Sequence, residues 1–320
     1  FTIDPSLTVT ASKENTGTPE EEYDRTYLLQ YDYIKIYTAP VPDAYVGGVG
    51  MFVGDYLEKD ATATTTTKPA DNYAYLAEVD GELVLTLHNY EYSGEGHNFL
   101  SNNYAGIFST NSLEIVLEGS NKLEVSVADS SFNTFGIVVE SFSSSTPSLV
   151  ITGTETDSLK ITAVCGMCVR GDITIDGGII NIKSVEHSIY SMANAEIKDG
   201  TISLEAGING IFADMNVTIN GGNTSIKSDS DGIYSKADFT LNNGTLEIES
   251  MEYGMYPDGN ININGGTLIV RSMAIDADDD SYCALDTMGT LSVDSSLTVV
   301  ASEENSGTPE VEFDVANLAK

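Results

Sequence analysis

An all-β fold, a single-stranded right-handed parallel β-helix (solenoid) with rungs of 22 and 30 residues, is expected here for three reasons. A short motif recurs at only those two spacings, the residues between its copies alternate apolar and polar, and a column of glycines marks one corner of each repeat.

The motif reads Gly106-Ile107-Phe108, Gly136-Ile137-Val138, Gly166-Met167-Cys168, Ser188-Ile189-Tyr190, Gly210-Ile211-Phe212, Gly232-Ile233-Tyr234, Gly254-Met255-Tyr256 and Ala284-Leu285-Asp286. Its middle residue is always aliphatic. Further along each unit come Ile173, Ala195, Val217, Phe239 and Ile261, then, two residues on, Ile175, Ile197, Ile219, Leu241 and Ile263. A third strand carries Ile180, Ile202, Thr224, Leu246 and Leu268, followed two on by Ile182, Leu204, Ile226, Ile248 and Val270. Spacing by two is the mark of a half-buried strand. Gly178, Gly200, Gly222, Gly244 and Gly266 separate the second and third strands, where a positive φ would let the chain turn. Each unit is thus three short strands, and stacking sets like residues about 4.8 Å apart. Right-handedness is expected because parallel crossovers have that hand. The 30-residue units carry longer turns, such as residues 141–147. No stretch reads as an amphipathic helix.

A longer period is also present. Asp4-Pro5-Ser6-Leu7-Thr8-Val9 matches Asp294-Ser295-Ser296-Leu297-Thr298-Val299, and Glu14-Asn15-Thr16-Gly17-Thr18-Pro19 matches Glu304-Asn305-Ser306-Gly307-Thr308-Pro309, both offset by 290. The expected organisation is a tandem array. Residues 1–37 would be the end of a preceding repeat and a joining or capping segment. Residues 38–105 would form an irregular β cap with a low-complexity loop at 61–67 and a strand at 83–87. Residues 106–302 would be the β-helix, and 303–320 the start of the next junction.

Composition narrows the function. The 320 residues hold 49 Asp+Glu against 14 Lys+Arg, a net charge of −35, yet 41% are hydrophobic, enough for a large core. Nucleic acid and anionic lipid are excluded as partners because their phosphates need Lys/Arg clusters that are absent. No apolar run approaches the roughly 20 residues of a membrane span, and no leader peptide is visible, as for a mature or partial chain. The three cysteines, Cys165, Cys168 and Cys283, are too few for a disulfide framework. The CxxC spacing at 165–168 has no second pair to complete a zinc site.

Two constellations could bind. Acidic turns gather Asp229, Asp231, Glu252, Asp276, Asp278, Asp279 and Asp280, a density suited to calcium, which takes carboxylate and carbonyl oxygens. The alternative is a solvated acidic turn on an acidic protein. An aromatic stripe of Phe108, Tyr190, Phe212, Tyr234 and Tyr256 follows the inward aliphatic column, so strand alternation points it outward. Such rings could stack on sugar faces, or simply on one another. Lys183, Glu205, Lys227, Glu249 and Arg271 alternate in sign down another column and read as ion pairs that support stacking. His88, His97 and His187 lack ligand spacing, and no catalytic motif is recognisable.

In its repeats, for instance Gly-Ile-Tyr-Ser-Lys-Ala-Asp-Phe-Thr-Leu-Asn-Asn-Gly-Thr-Leu-Glu-Ile at 232–248, the chain resembles the calcium-binding β-helix carbohydrate-binding domains of Gram-positive bacterial surface proteins. The resemblance covers about residues 83–302 and lies mainly in repeat style. It implies a pectate-lyase-like fold that binds acidic plant polysaccharide without cleaving it. The expected role is therefore a non-enzymatic, extracellular carbohydrate-binding module of a tandem-repeat bacterial surface protein, secreted or at the cell surface. Its partners would be polysaccharide or neighbouring copies end to end. Calcium would have to bridge an anionic glycan to so acidic a protein. The rival reading is a stalk, adhesin or fibre repeat with no small ligand. A weaker one is a polysaccharide lyase, which would need a Lys or Arg base beside a bound uronate.

Overall fold

A computed structural model describes residues 40–129, 131–272 and 283–298, and the backbone of strands at 8–12, 21–22, 33–37, 300–301 and 311–312. The chain divides into two compact units, Phe1–Pro42 and Asp43–Lys320. In the first, strand Thr8–Ser12 lies between Glu21–Glu22 and Tyr33–Tyr37, antiparallel to both.

The second unit is all-β, with no helix among the described residues. The recurring motif forms one stack of parallel strands: Asn103–Ser109, Asn133–Val139, Cys165–Val169, Ile189–Ser191, Ile211–Ala213, Ile233–Ser235 and Met255–Pro257. Ile107, Ile137, Met167, Ile189, Ile211, Ile233 and Met255 are successive Cα partners, and each is buried. Leu285 continues the row through an isolated bridge to Met255. The alternation follows from the pleat: the motif's middle residue faces the core and its third residue faces away.

The other two columns stack in the same way. Ile173, Ala195, Val217, Phe239, Ile261 and Leu291 are partners in turn, as are Ile180, Ile202, Thr224, Leu246 and Leu268. One apolar cluster runs from Ala44 to Ile263. Thr224 stands inside it, 2% exposed, with no polar partner for its hydroxyl.

The glycine corner takes the left-handed conformation expected of it, with φ of 81° at Gly178, 114° at Gly200, 72° at Gly222, 87° at Gly244 and 80° at Gly266. One detail differs from the sequence expectation. Ile173–Ser184 and Ala195–Ala206 are each a single long strand, not two short ones. There the ladder skips the corner glycines Gly178 and Gly200 and resumes directly after them with a shift of register.

The start of the stack is covered by antiparallel strands. Ala44–Val46 pairs with Asn103–Ser109 and with Val49–Met51, and Tyr73–Val79 lies between Glu82–His88 and Tyr56–Glu58. At the far end, Thr267–Ser272 pairs only with Thr245–Ser250, and Leu291–Val293 only with Ile261–Ile263, among the described residues. Leu268, Val270, Leu285, Leu291 and Val293 are there only partly buried.

Candidate functional site

Four of the five stripe residues form a continuous row on the outer face of the motif stack. Tyr190, Phe212, Tyr234 and Tyr256 are Cα partners in sequence, each half-buried. Ring centroids are 5.0 Å apart for Tyr190 and Phe212, 5.1 Å for Phe212 and Tyr234, and 5.8 Å for Tyr234 and Tyr256. The planes are not parallel throughout: the interplanar angle falls from 78° to 44° to 30° along the row. The rings therefore touch one another with a tilt that changes along the row, and each of the four residues keeps part of its surface exposed. His187 leans on Tyr190 and Phe212, and Tyr253 stacks on Tyr256 at 4.8 Å.

Polar groups stand two residues beyond three of the four rings, Asp214, Lys236 and Asp258, with Met192 at the corresponding place beyond Tyr190. The Lys236 ammonium lies 2.6 Å from Asp214 Oδ1 and 5.4 Å from the centre of the Phe212 ring. The Tyr234 hydroxyl is 3.4 Å from either carboxylate oxygen of Asp258. Burial, the Asp258 charge and the bond to it raise the Tyr234 pKa, so the phenol keeps its proton. An aromatic platform with carboxylates and an ammonium at its margin is chemistry suited to pyranose rings, whose C–H faces are apolar and whose edges are hydroxyls.

Phe108 stands apart from the four. It is in register with Val138 on the same face, but it is only 4% exposed. The antiparallel strand His97–Leu100 lies against its own strand, and Phe99 stacks on its ring at 5.0 Å with His97 at 5.3 Å and Tyr45 at 6.2 Å. The expectation that it presents an outward ring is corrected: alternation set its direction, but residues from the 38–105 segment cover it. Val138 and Cys168 separate it from Tyr190.

The acidic turn is only partly assembled. Asp231 and Glu252 are close enough to repel, while Asp229 is exposed beside Lys227, Glu249 and Met251. Among the described residues, no group of three or more His, Cys, Asp or Glu side chains is set to hold a metal. Asp276, Asp278, Asp279 and Asp280 lie outside the described residues. Asp231 Oδ1 accepts a hydrogen bond from the Tyr253 amide, and the Asp231 amide donates to Asn209 Oδ1. Loss of water and the neighbouring Glu252 charge push the Asp231 pKa up to about 6 despite the Tyr253 bond.

A carboxyl that binds its proton more tightly when folded stabilises the fold below its unfolded pKa. That contribution fades as pH rises through the folded value. The fold should thus lose stability between about pH 4 and pH 6, and Asp231→Asn should remove that loss while keeping the acceptor for Tyr253. Discounted for partial exposure, the variant should be about 1 kcal/mol more stable than the parent at pH 7 and equal to it near pH 4, by urea unfolding.

Sequence reasoning missed a hydrogen-bonded ladder on another face. Asp172 Oδ1 accepts from the backbone and side-chain amides of Asn194, and Asn194 Oδ1 does the same for Asn216. Asn216 Oδ1 then accepts from the Asp238 amide, Asp238 from Asn260, and Asn260 from Thr290. Its signal was present: Asp or Asn stands immediately before the second strand in five consecutive units. The charge column behaves largely as ion pairs. Lys183 pairs with Glu205 and Lys227 with Glu249 at 3.5 Å, but Arg271 reaches Glu247 at 2.9 Å although Glu249 is its Cα partner. Cys165 and Cys168 form no disulfide, and burial raises Cys168 to about 12 and raises Cys165 as well, so neither is poised to ligate or react.

A family model described as "carbohydrate-binding domain-containing protein" matches residues 93–310, about two thirds of the chain and the whole of the aromatic row. The chain belongs to this family. No curated protein and no solved structure matches it. No helix among the described residues is long and apolar enough to cross a membrane.

Proposed function

We propose that this carbohydrate-binding domain is a right-handed parallel β-helix that holds an extended polysaccharide along Tyr190, Phe212, Tyr234 and Tyr256, outside the cell and without cleaving it. The observation that carries the reading is the row itself. Four aromatic residues on consecutive strands present partly open rings at a pitch near the length of one pyranose unit, with Asp214, Lys236 and Asp258 beside them. Sugar rings would lie on the aromatic faces, and hydroxyls would meet the polar margin. Arg170 and Lys236 are each held by a carboxylate, Glu140 at 2.8 Å and Asp214 at 2.6 Å, which favours binding over β-elimination.

Calcium enters the proposal through charge. A polymer of uronates would be repelled by a net charge of −35 unless divalent ions bridged the two. Affinity electrophoresis against neutral and acidic polysaccharides, with calcium and with chelator, tests both statements. Tyr234→Ala should weaken binding roughly fivefold, since one aromatic contact contributes about 1 kcal/mol. Tyr234→Phe should weaken it much less. Binding of an acidic polymer should vanish on chelation. Silence of every polymer in millimolar calcium would overturn the reading. It would leave the stalk or fibre role, which the contacts between successive rings of the row favour.

A further inference from the structure

The 290-residue period is present in strand pairing as well as in sequence. Near the start, Thr10 is opposite Glu22 and Ala11 opposite Glu21, antiparallel. Near the end, Val300 is opposite Glu312 and Ala301 opposite Val311, also antiparallel. All four positions differ by 290, so the two hairpins share a register. A chance likeness of composition would not fix which residue faces which, because a slip of one residue exchanges every side chain between faces.

The copies differ in what lies on their other edge. Strand Thr8–Ser12 is covered by Tyr33–Tyr37 through five residue pairs, from Thr8 opposite Tyr37 to Ser12 opposite Tyr33. Among the described residues, Val300–Ala301 pairs only with Val311–Glu312. Among the described residues, strand Leu291–Val293, which precedes it in the chain, is likewise paired on one side only, with Leu291 and Val293 partly buried. The first three residues, Phe1-Thr2-Ile3, also match Leu291-Ser292-Val293 at the same offset. In sequence they continue the series Ile173-Thr174-Ile175, Val217-Thr218-Ile219 and Phe239-Thr240-Leu241. The segment ahead of residue 38 thus carries the sequence of a last unit, followed by the strand that covers its hairpin.

We infer that the free edge of strand Val300–Ala301 is a docking surface for a second copy of this 290-residue repeat, following in the same polypeptide, whose Tyr33–Tyr37 strand completes the three-stranded sheet. Strand addition satisfies the unpaired amides and carbonyls of an edge and removes it as an aggregation template. Covalent continuity is part of the inference. Two separate chains at −35 each repel, whereas a tethered strand faces its edge at an effective concentration on the order of millimolar. The inference is independent of the glycan.

The test is a two-repeat polypeptide, residues 1–310 followed directly by 21–320, which preserves the period, compared with the single-repeat chain by hydrogen exchange. Amides at 298–302 of the internal junction should exchange at least tenfold more slowly than in the single-repeat chain. Ile36→Pro in the second copy removes the amide of a strand residue paired with Val9 in the first copy, and should return the junction to the single-repeat rate. Exchange at the strands from 189 to 257 reports whether that variant still folds. Equal exchange at 298–302 in the one- and two-repeat chains would overturn the inference. So would concentration-dependent protection of the same amides in the single-repeat chain, which would make a separate molecule the partner.

Discussion

Gly232→Val should destabilise the fold by about 3 kcal/mol or more in urea unfolding, the upper end for overpacking a buried site. A Cβ at this position would stand 2.2 Å from Cγ2 of Ile248 and 2.5 Å from the carbonyl oxygen of Gly254. The backbone cannot retreat cheaply, because the Gly232 amide donates to the Tyr253 carbonyl and the Ile233 amide to that of Gly254. The other motif glycines meet the same geometry, against Ile161 for Gly136, Ile182 for Gly166, Ile226 for Gly210 and Val270 for Gly254. Each faces a β-branched residue. Where the motif starts with Ser188, the equivalent residue is Leu204, which carries no branch at Cβ. Gly232→Ser should therefore cost less when combined with Ile248→Leu than alone, a coupling a double-mutant cycle would measure.

Phe239→Ala should cost about 3–5 kcal/mol and lower the melting temperature by about 10 °C. Phe239 is 0% exposed and in register with Val217 below and Ile261 above. Both neighbours are held by parallel ladders on either side, so the cavity cannot collapse without breaking backbone bonds. Phe239→Leu should cost far less, since most of the volume stays filled. Equal losses for the two variants would mean that the core is looser than its register implies.

The stacking columns were legible because they depend on a one-dimensional rule. A unit of fixed length places residue i over residue i+22, and burial of one face enforces period two. The glycine corner was legible for a similar local reason, its positive φ. What the sequence did not disclose depends on contacts between distant segments. Phe108 has the same local signal as Tyr234, yet Phe99 and Tyr45 cover it, and they come from a region without the repeat. The long strands at 173–184 and 195–206 look like their neighbours in sequence, and only their register shifts distinguish them. Arg271 reaches past its expected partner because a long, exposed side chain follows reach more than register. Within the aromatic row, position could be read from spacing, but the tilt between rings, which decides how much face a sugar could meet, could not.

The Asp/Asn ladder also sets how such a chain can change length. Each side-chain oxygen in it must meet donors on the residue directly above, and the link from Asn260 to Thr290 is kept although it spans 30 residues and the others span 22. Additional residues are therefore looped out where no ladder bond is interrupted. A lineage of such proteins can lengthen its bulges freely or gain and lose entire repeats, but an insertion within the strand that carries a ladder residue would move that residue out of line with its neighbours and be selected against.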